Sequence, residues 1–198
     1  MNGKQAILTA IGQKSTPEAA LPDLTGEWIG YEQPIQQFAA VLESVGGRAV
    51  VVQEVEEINR ELALLPAFQE SRQICSLAPG VGPGNVDLAA VAGPHELESL
   101  DFAILPGDFA VAENGAVWVT DAAVKHRVVY FIAQHLALVV PEREVVHNMH
   151  QAYQRLTFSG PCFGAFISGP SKTADIEQSL VIGAHGARSL TVFLVRDR

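Results

Sequence analysis

Phe163-Gly-Ala-Phe-Ile167 runs into Ser168-Gly-Pro-Ser-Lys-Thr-Ala-Asp-Ile-Glu177, and the fold class turns on these fifteen residues. The apolar run has the length of a buried strand. Gly169, Pro170 and Ser171 mark a turn. Ile176, Leu180 and Val181 then recur at i, i+4 and i+5, the spacing of one helix face. The stretch therefore predicts strand, turn and helix, with the polar residues in the first helical turn. A helix N-terminus leaves backbone N–H groups unpaired and carries partial positive charge. Ser171 and Thr173 would either cap it or hold a ligand oxygen, and Lys172 adds a point charge for a carboxylate or phosphate. Asp175 and Glu177 either balance the helix dipole or accept hydrogen bonds from ligand hydroxyls. The G-x-x-x-x-G-K-[ST] spacing of a phosphate loop is absent.

Outward from this stretch the same alternation continues. Arg48-Ala-Val-Val-Val-Gln53, Gln73-Ile-Cys-Ser76, Asp101-Phe-Ala-Ile-Leu105, Leu136-Ala-Leu-Val-Val140 and Ser189-Leu-Thr-Val-Phe-Leu-Val195 read as strands. Helices are predicted over 3–12, from Pro34 to the Gly46-Gly47 pair, over 56–65, and from Pro141 through Leu156. Strands alternating with helices predict an α/β fold with a mostly parallel sheet covered by helices on both faces. Glu113-Asn114-Gly115 separates two alternating apolar runs, a hairpin signal that adds a local antiparallel element. Residues 15–34 are rich in Pro, Gly and polar side chains and read as an extended linker, clamped by Trp28 and Tyr31 onto the main domain or a partner.

Composition narrows the function classes. The chain has 198 residues, 48% hydrophobic and 18% charged, enough for a buried core. Its formal net charge of −9 shows no basic stripe, which argues against nucleic acid as a partner. The two cysteines, Cys75 and Cys162, form no C-x-x-C and read as reduced thiols of a cytoplasmic protein. A standard iron–sulfur cluster needs about four cysteine ligands, so two cannot hold one alone. No apolar run approaches a membrane span of about 18 residues, and the N-terminus lacks a signal-peptide pattern.

Further residues carry candidate chemistry. Glu113, at a turn tip, suits a nucleophile, a general base or a ligand to hydroxyls; otherwise it is the solvated tip of a type I′ turn. His185, flanked by Gly183-Ala184 and Gly186-Ala187, is either an acid/base near neutral pH or a C-terminal cap. His147 and His150 stand three apart and could share a metal, but no third ligand is near and they read as a solvated helix face. Lys125-His126-Arg127 reads as surface, and Gly80-Val-Gly-Pro-Gly84 as a turn with the wrong spacing for a dinucleotide loop.

Ile167-Ser-Gly-Pro-Ser-Lys-Thr-Ala-Asp-Ile-Glu-Gln178, with Gly183-Ala-His-Gly186, closely resembles the signature of the LUD domain of the lactate-utilisation protein C family. Asp101-Phe-Ala-Ile-Leu105 and Phe109-Ala-Val-Ala-Glu-Asn-Gly-Ala-Val-Trp-Val119 resemble its second motif, with Asn114 where many relatives have Thr. The resemblance spans roughly residues 33–196 and implies a LUD-type α/β domain over 33–198 behind an N-terminal helix and extended segment over 1–32. It implies a fold similar to the phosphosugar isomerase and CoA-transferase group, and a role in oxidising L-lactate to pyruvate. That role implies iron–sulfur partner proteins that carry the redox clusters, none of them bound by this chain, and leaves room for a homodimer. Ala112-Glu113-Asn114-Gly115 also looks like the Ser-Glu-Asn-Gly motif around the catalytic glutamate of class I CoA transferases, with Ala for Ser. Together these place a small carboxylate or phosphorylated ligand between the Glu113 turn and the Ser168–Thr173 segment. Glu113, Asp175 and His185 are the candidate catalytic groups; Asn114, Gly115, Ser168, Gly169, Ser171, Lys172, Thr173, Glu177 and Gly186 are the candidate ligand contacts. The rival functions are a stand-alone CoA-transferase or phosphosugar enzyme, a non-catalytic scaffold, and, with no ATP loop to support it, a folate-type ligase.

Overall fold

A computed structural model describes residues 2–13, 19–157, 163–174, 180–183 and 185–196. Helix α1 (Gly3–Gly12) is capped by Asn2, whose side chain accepts from the Lys4 amide, and buries none of its residues. Helix α2 (Pro34–Ser44) opens on proline and buries Phe38 and Leu42, four residues apart on one face. Its end is closed by Gly46 at φ 88° and by the Gly47 amide donating to Leu42 O. There follow β1 (Arg48–Val52), α3 (Val55–Ala63), α4 (Pro66–Glu70), β2 (Ile74–Ser76), β3 (Phe102–Pro106), β4 (Phe109–Val111), β5 (Ala116–Thr120), α5 (Val129–Ile132), β6 (His135–Pro141), β7 (Val145–Val146), α6 (Met149–Arg155), β8 (Gly164–Ile167), β9 (Lys172–Ala174), β10 (Leu180–Ile182) and β11 (Ser189–Val195).

The central sheet has the order β1-β11-β6-β3-β2, and every neighbouring pair is parallel. Its middle strands, β6 and β11, are apolar almost throughout because both of their faces are covered. On one face, Ile58 and Leu62 of α3 pack with Phe102, Ile104 and Phe193. On the other, Phe38 and Leu42 of α2 share the cover with a second sheet of order β7-β4-β5-β8. Period-two alternation divides that second sheet. Ala110, Val117 and Val119 face the central sheet, while Phe109, Val111 and Trp118 face outward toward Ala152 of α6. The expected α/β architecture is present, and the predicted hairpin is the middle of this second layer. No helix among the described residues is long and apolar enough to cross a membrane.

Two expectations are corrected. The segment after Ile167 is not strand, turn and helix: β9 and β10 form an antiparallel pair, with Thr173 opposite Val181 and Lys172 opposite Ile182. Ile176, the first residue of the expected helix face, lies outside the described residues, and β-branched Thr173, Val181 and Ile182 favour extended backbone. Strand β8 itself lies at the edge of the second sheet, with Gly164 exposed, rather than buried in the main one. Nor does Pro141 open a helix. It ends β6, a 3-10 turn covers Glu142–Glu144, β7 pairs with β4, and α6 begins only at Met149. Val145-Val146 favours the strand, and Asn148 caps α6 by accepting from the Gln151 amide at 2.9 Å.

Candidate functional site

The Glu113 turn is built by β4 and β5. Val111 pairs with Ala116, so the loop holds four residues, 112–115, instead of the two of a type I′ turn. The Gly115 amide donates to Val111 O at 3.0 Å. Gly115 sits at φ 64°, and a Cβ on it would stand 2.8 Å from the Leu42 amide nitrogen, so only glycine lets the loop lie on α2. Asn114 Oδ1 accepts from the Ala116 amide at 3.1 Å. Glu113 is exposed, yet its Oε2 accepts from the Met149 amide at 2.8 Å and its own amide donates to His147 O at 3.0 Å. The carboxylate thus satisfies one of the unpaired donors at the start of α6.

The signature stretch meets this turn at one point: Ser168 Oγ donates to Asn114 O at 2.8 Å. Beyond it, Gly169 at φ 71° lies against Val45 O, 2.7 Å from where its Cβ would be, and Pro170 packs over Gly46. The Ser171 amide donates to Ala187 O at 2.8 Å, and Ser171 O accepts from the Gly183 amide at 2.9 Å. Ser171 Oγ lies 3.1 Å from the Cβ position of Gly186. Lys172 and His185 are exposed, and Thr173 takes part through its backbone pairing with Val181. Asp175 and Glu177 lie outside the described residues. The structure therefore gathers two pairs, Asn114 with Ser168 and Ser171 with Gly186, with His185 next along the chain. Among the described residues, no helix amides cradle an anion at 171–173, because Lys172–Ala174 is a strand. Arg188 donates its amide to Gln134 O at 2.7 Å, so the Ser171–Gly186 pair lies by the amino ends of β6 and β11. Open α/β sheets commonly bind ligands at the opposite, carboxyl edge.

At that carboxyl edge, the glycine loop after β2 lines a cavity of about 600 Å³ with Ser76, Val81, Asn85 and Asp87. The loop satisfies itself. Asn59 donates to Gly80 O at 3.0 Å and accepts from the Gly82 amide at 2.7 Å, and Ser76 Oγ donates to Val81 O. It is a braced turn, as its spacing suggested. Behind it the buried Cys75 thiol is pushed up by burial and by the charge of Asp87. Cys162 lies outside the described residues.

His147 and His150 are not a merely solvated face. The Tyr31 amide donates to His147 Nδ1 at 3.0 Å, the Trp28 indole stacks on the His150 ring at 3.4 Å, and Asn148 Nδ2 donates to Ile29 O at 2.7 Å. The 28–31 segment is strapped to α6, as its aromatic residues predicted, while Leu21 remains 92% exposed and Leu24 64%. No group of three metal-ligating side chains occurs among the described residues.

Sequence reasoning missed a second cavity, of about 460 Å³, between the outer face of the second sheet and the end of α6. Asp108, Trp118, Thr120, Asp121, Arg155 and Phe163 line it. Burial pushes the Asp108 carboxyl up, opposed by its hydrogen bond with Thr120. Burial, with the Asp108 and Asp121 charges, raises Tyr130 to about 12. These residues come from separate segments, so no local motif announces them.

The LUD domain family model matches residues 85–195, which include the Glu113 turn and the whole signature stretch. Lactate utilization protein C of Geobacillus kaustophilus (strain HTA426) is 32% identical over 139 residues, 67% of this chain and 54% of that protein. Lactate utilization protein C of Shouchella clausii (strain KSM-K16) is 35% identical over 109 residues, 52% of this chain and 48% of that protein. The chain thus spans about half the length of these relatives. A DUF162 family protein from Deinococcus radiodurans, known from its crystal structure, shares the fold with a TM-score of 0.55 at 18% identity, over 82% of this chain and 96% of that one. With the family model covering more than half of its length, this chain belongs to the LUD domain family.

Proposed function

We propose that the chain is a component of a lactate-utilisation system and takes part in oxidising L-lactate to pyruvate with iron–sulfur partner proteins. The observation that carries this is the likeness to proteins named lactate utilization protein C across 67% of the chain. The oxidation releases two electrons and two protons. With two cysteines this chain cannot ligate a four-cysteine cluster alone, so the electrons leave through the partners' clusters. Its own part is to bind the small carboxylate. Ser171 Oγ, against Gly186, supplies a donor; the exposed Lys172, next in the chain, supplies a positive charge; and exposed His185, preceding Gly186, supplies a proton acceptor. Asp175 and Glu177 are assigned to the substrate hydroxyl.

The test is thermal stabilisation by L-lactate and pyruvate, in wild type and in Ser171→Ala with Lys172→Ala. At 100 times its dissociation constant a ligand adds about 2.7 kcal/mol of stability. A shift confined to the wild type supports the assignment; an equal shift in the variant places the carboxylate elsewhere.

A second reading, a partner-binding subunit without chemistry of its own, is favoured by the exposed Ile7, Leu8, Ile11, Leu21 and Leu24. It expects the iron–sulfur proteins to be lost on Leu21→Ser with Leu24→Ser and retained by the Ser171 and Lys172 variants. Retention by the leucine variants would refute it.

A further inference from the structure

The cavity between the second sheet and α6 has flat aromatic walls held in fixed positions. Phe109 and Trp118 stack with ring centroids 6.4 Å apart at 21°, and Phe166 closes on Trp118 at 4.6 Å. Beneath Trp118 lies Gly164, where a Cβ would stand 2.1 Å from indole Cζ2, so the indole rests directly on the β8 backbone. A ring so supported offers its other side without needing to be ordered by a ligand.

The polar groups of the cavity carry a net negative charge. The Arg155 guanidinium sits 5.5 Å from the Phe109 centroid, and its Nη1 bonds Glu144 at 2.7 Å, a carboxylate also paired with Arg143; the lining itself sets two carboxylates, Asp108 and Asp121, against this one guanidinium. Asp121 Oδ1 accepts from the Phe163 amide at 3.3 Å. Asp108 is bonded to Thr120, and neither aspartate has an ion pair among the described residues. The two carboxylates act together on their surroundings, since both raise the nearby Tyr130. Such a floor repels carboxylates and phosphates and accepts hydrogen bonds from N–H groups. About 460 Å³ is within the range of small-molecule sites and holds two or three fused rings.

We propose that this cavity binds an amino-substituted planar heteroaromatic ring, its face against Trp118 and Phe109 and its N–H groups on the Asp108 and Asp121 carboxylates. The site is separate from the Ser171 surface and takes a ligand of opposite polarity.

The probe is proflavine, a planar diamino cation, with 2-naphthoate as a planar anion. Trp28→Phe leaves Trp118 as the remaining tryptophan of the two in the chain, so its fluorescence reports the cavity. Proflavine is expected to quench Trp118 saturably at one equivalent, with 2-naphthoate at least tenfold weaker. Asp108→Asn with Asp121→Asn, which keeps one acceptor oxygen on each side chain and removes the charge, is expected to weaken proflavine at least tenfold. Thr157→Trp, which puts an indole on the cavity lining, is expected to abolish binding as read by proflavine polarisation, and serves if the double variant does not fold. Equal binding of 2-naphthoate, unchanged affinity in the charge variant, binding that survives Thr157→Trp, or quenching that never saturates would each overturn the proposal.

Discussion

Gly115→Ala isolates what the Glu113 turn does for the fold. At φ 64° an alanine adopts the left-handed region at a cost of about 1–2 kcal/mol. Its Cβ would stand 2.8 Å from Leu42 N and 3.0 Å from Leu42 Cα. Both are backbone atoms of α2, so no rotamer change relieves the contact, and overpacking of this kind costs about 1–3 kcal/mol. Alanine also narrows the unfolded ensemble, which offsets about 0.4–1 kcal/mol. The net loss is about 1–5 kcal/mol, and at roughly 2–4 °C per kcal/mol the thermal midpoint falls by about 2–20 °C. Urea unfolding followed by circular dichroism measures it, with Gly93→Ala as the control. Gly93 has nothing within 4 Å of its Cβ position, and the change there is expected within about 0.5 kcal/mol. A Gly115→Ala protein as stable as that control would refute the idea that α2 clamps the loop.

Glu113→Ala removes the acceptor for the Met149 amide and is expected to cost about 0.5–2 kcal/mol, whereas Glu113→Gln keeps a carbonyl there and costs less. If the isolated chain turns over acyl-CoA and Glu113→Gln abolishes it with stability intact, the nucleophile role is supported. His147→Ala deletes the acceptor of the Tyr31 amide, so hydrogen exchange at Tyr31 should quicken while the core amides keep their protection; unchanged exchange would mean Trp28 on His150 suffices. His135, bonded to Ser189 Oγ at 2.8 Å, is held below its usual 6.5 by burial and the Arg188 charge, against the pull of Asp101 and Glu70. The folded state resists its protonation more than the unfolded chain does. This group's share of stability is therefore whole above about pH 6.5 and is lost as the pH falls from there through the lowered folded value. The midpoint should drop more steeply between pH 7 and 5 in wild type than in His135→Gln; parallel curves would refute the assignment.

Periodicity carried the central sheet. Ile104–Leu105, Leu136–Val140 and Val192–Leu194 are apolar because both faces of an inner parallel strand are covered, and that pattern needs no knowledge of its neighbours. Edge strand β1 reads the same way in sequence, yet Val51 stays exposed. The Glu113-Asn114-Gly115 hairpin and the caps of α2 were legible for the same reason, since turn chemistry is local. The family was legible because the motif around Ser168 is a run of neighbours in the chain. The β9–β10 pair was not legible, because a short β-branched segment between glycines fits a helix face or a strand and is decided by what it pairs with. His150 in α6 and His147 just before it hold Trp28 and Tyr31 from more than a hundred residues away, and Asp108, Trp118, Asp121 and Arg155 share a cavity that no single segment contains. Local sequence determines backbone preference and which face is apolar. Which side chains share a cavity, and which carboxylates keep an unneutralised charge, was decided only when the second sheet folded against α6.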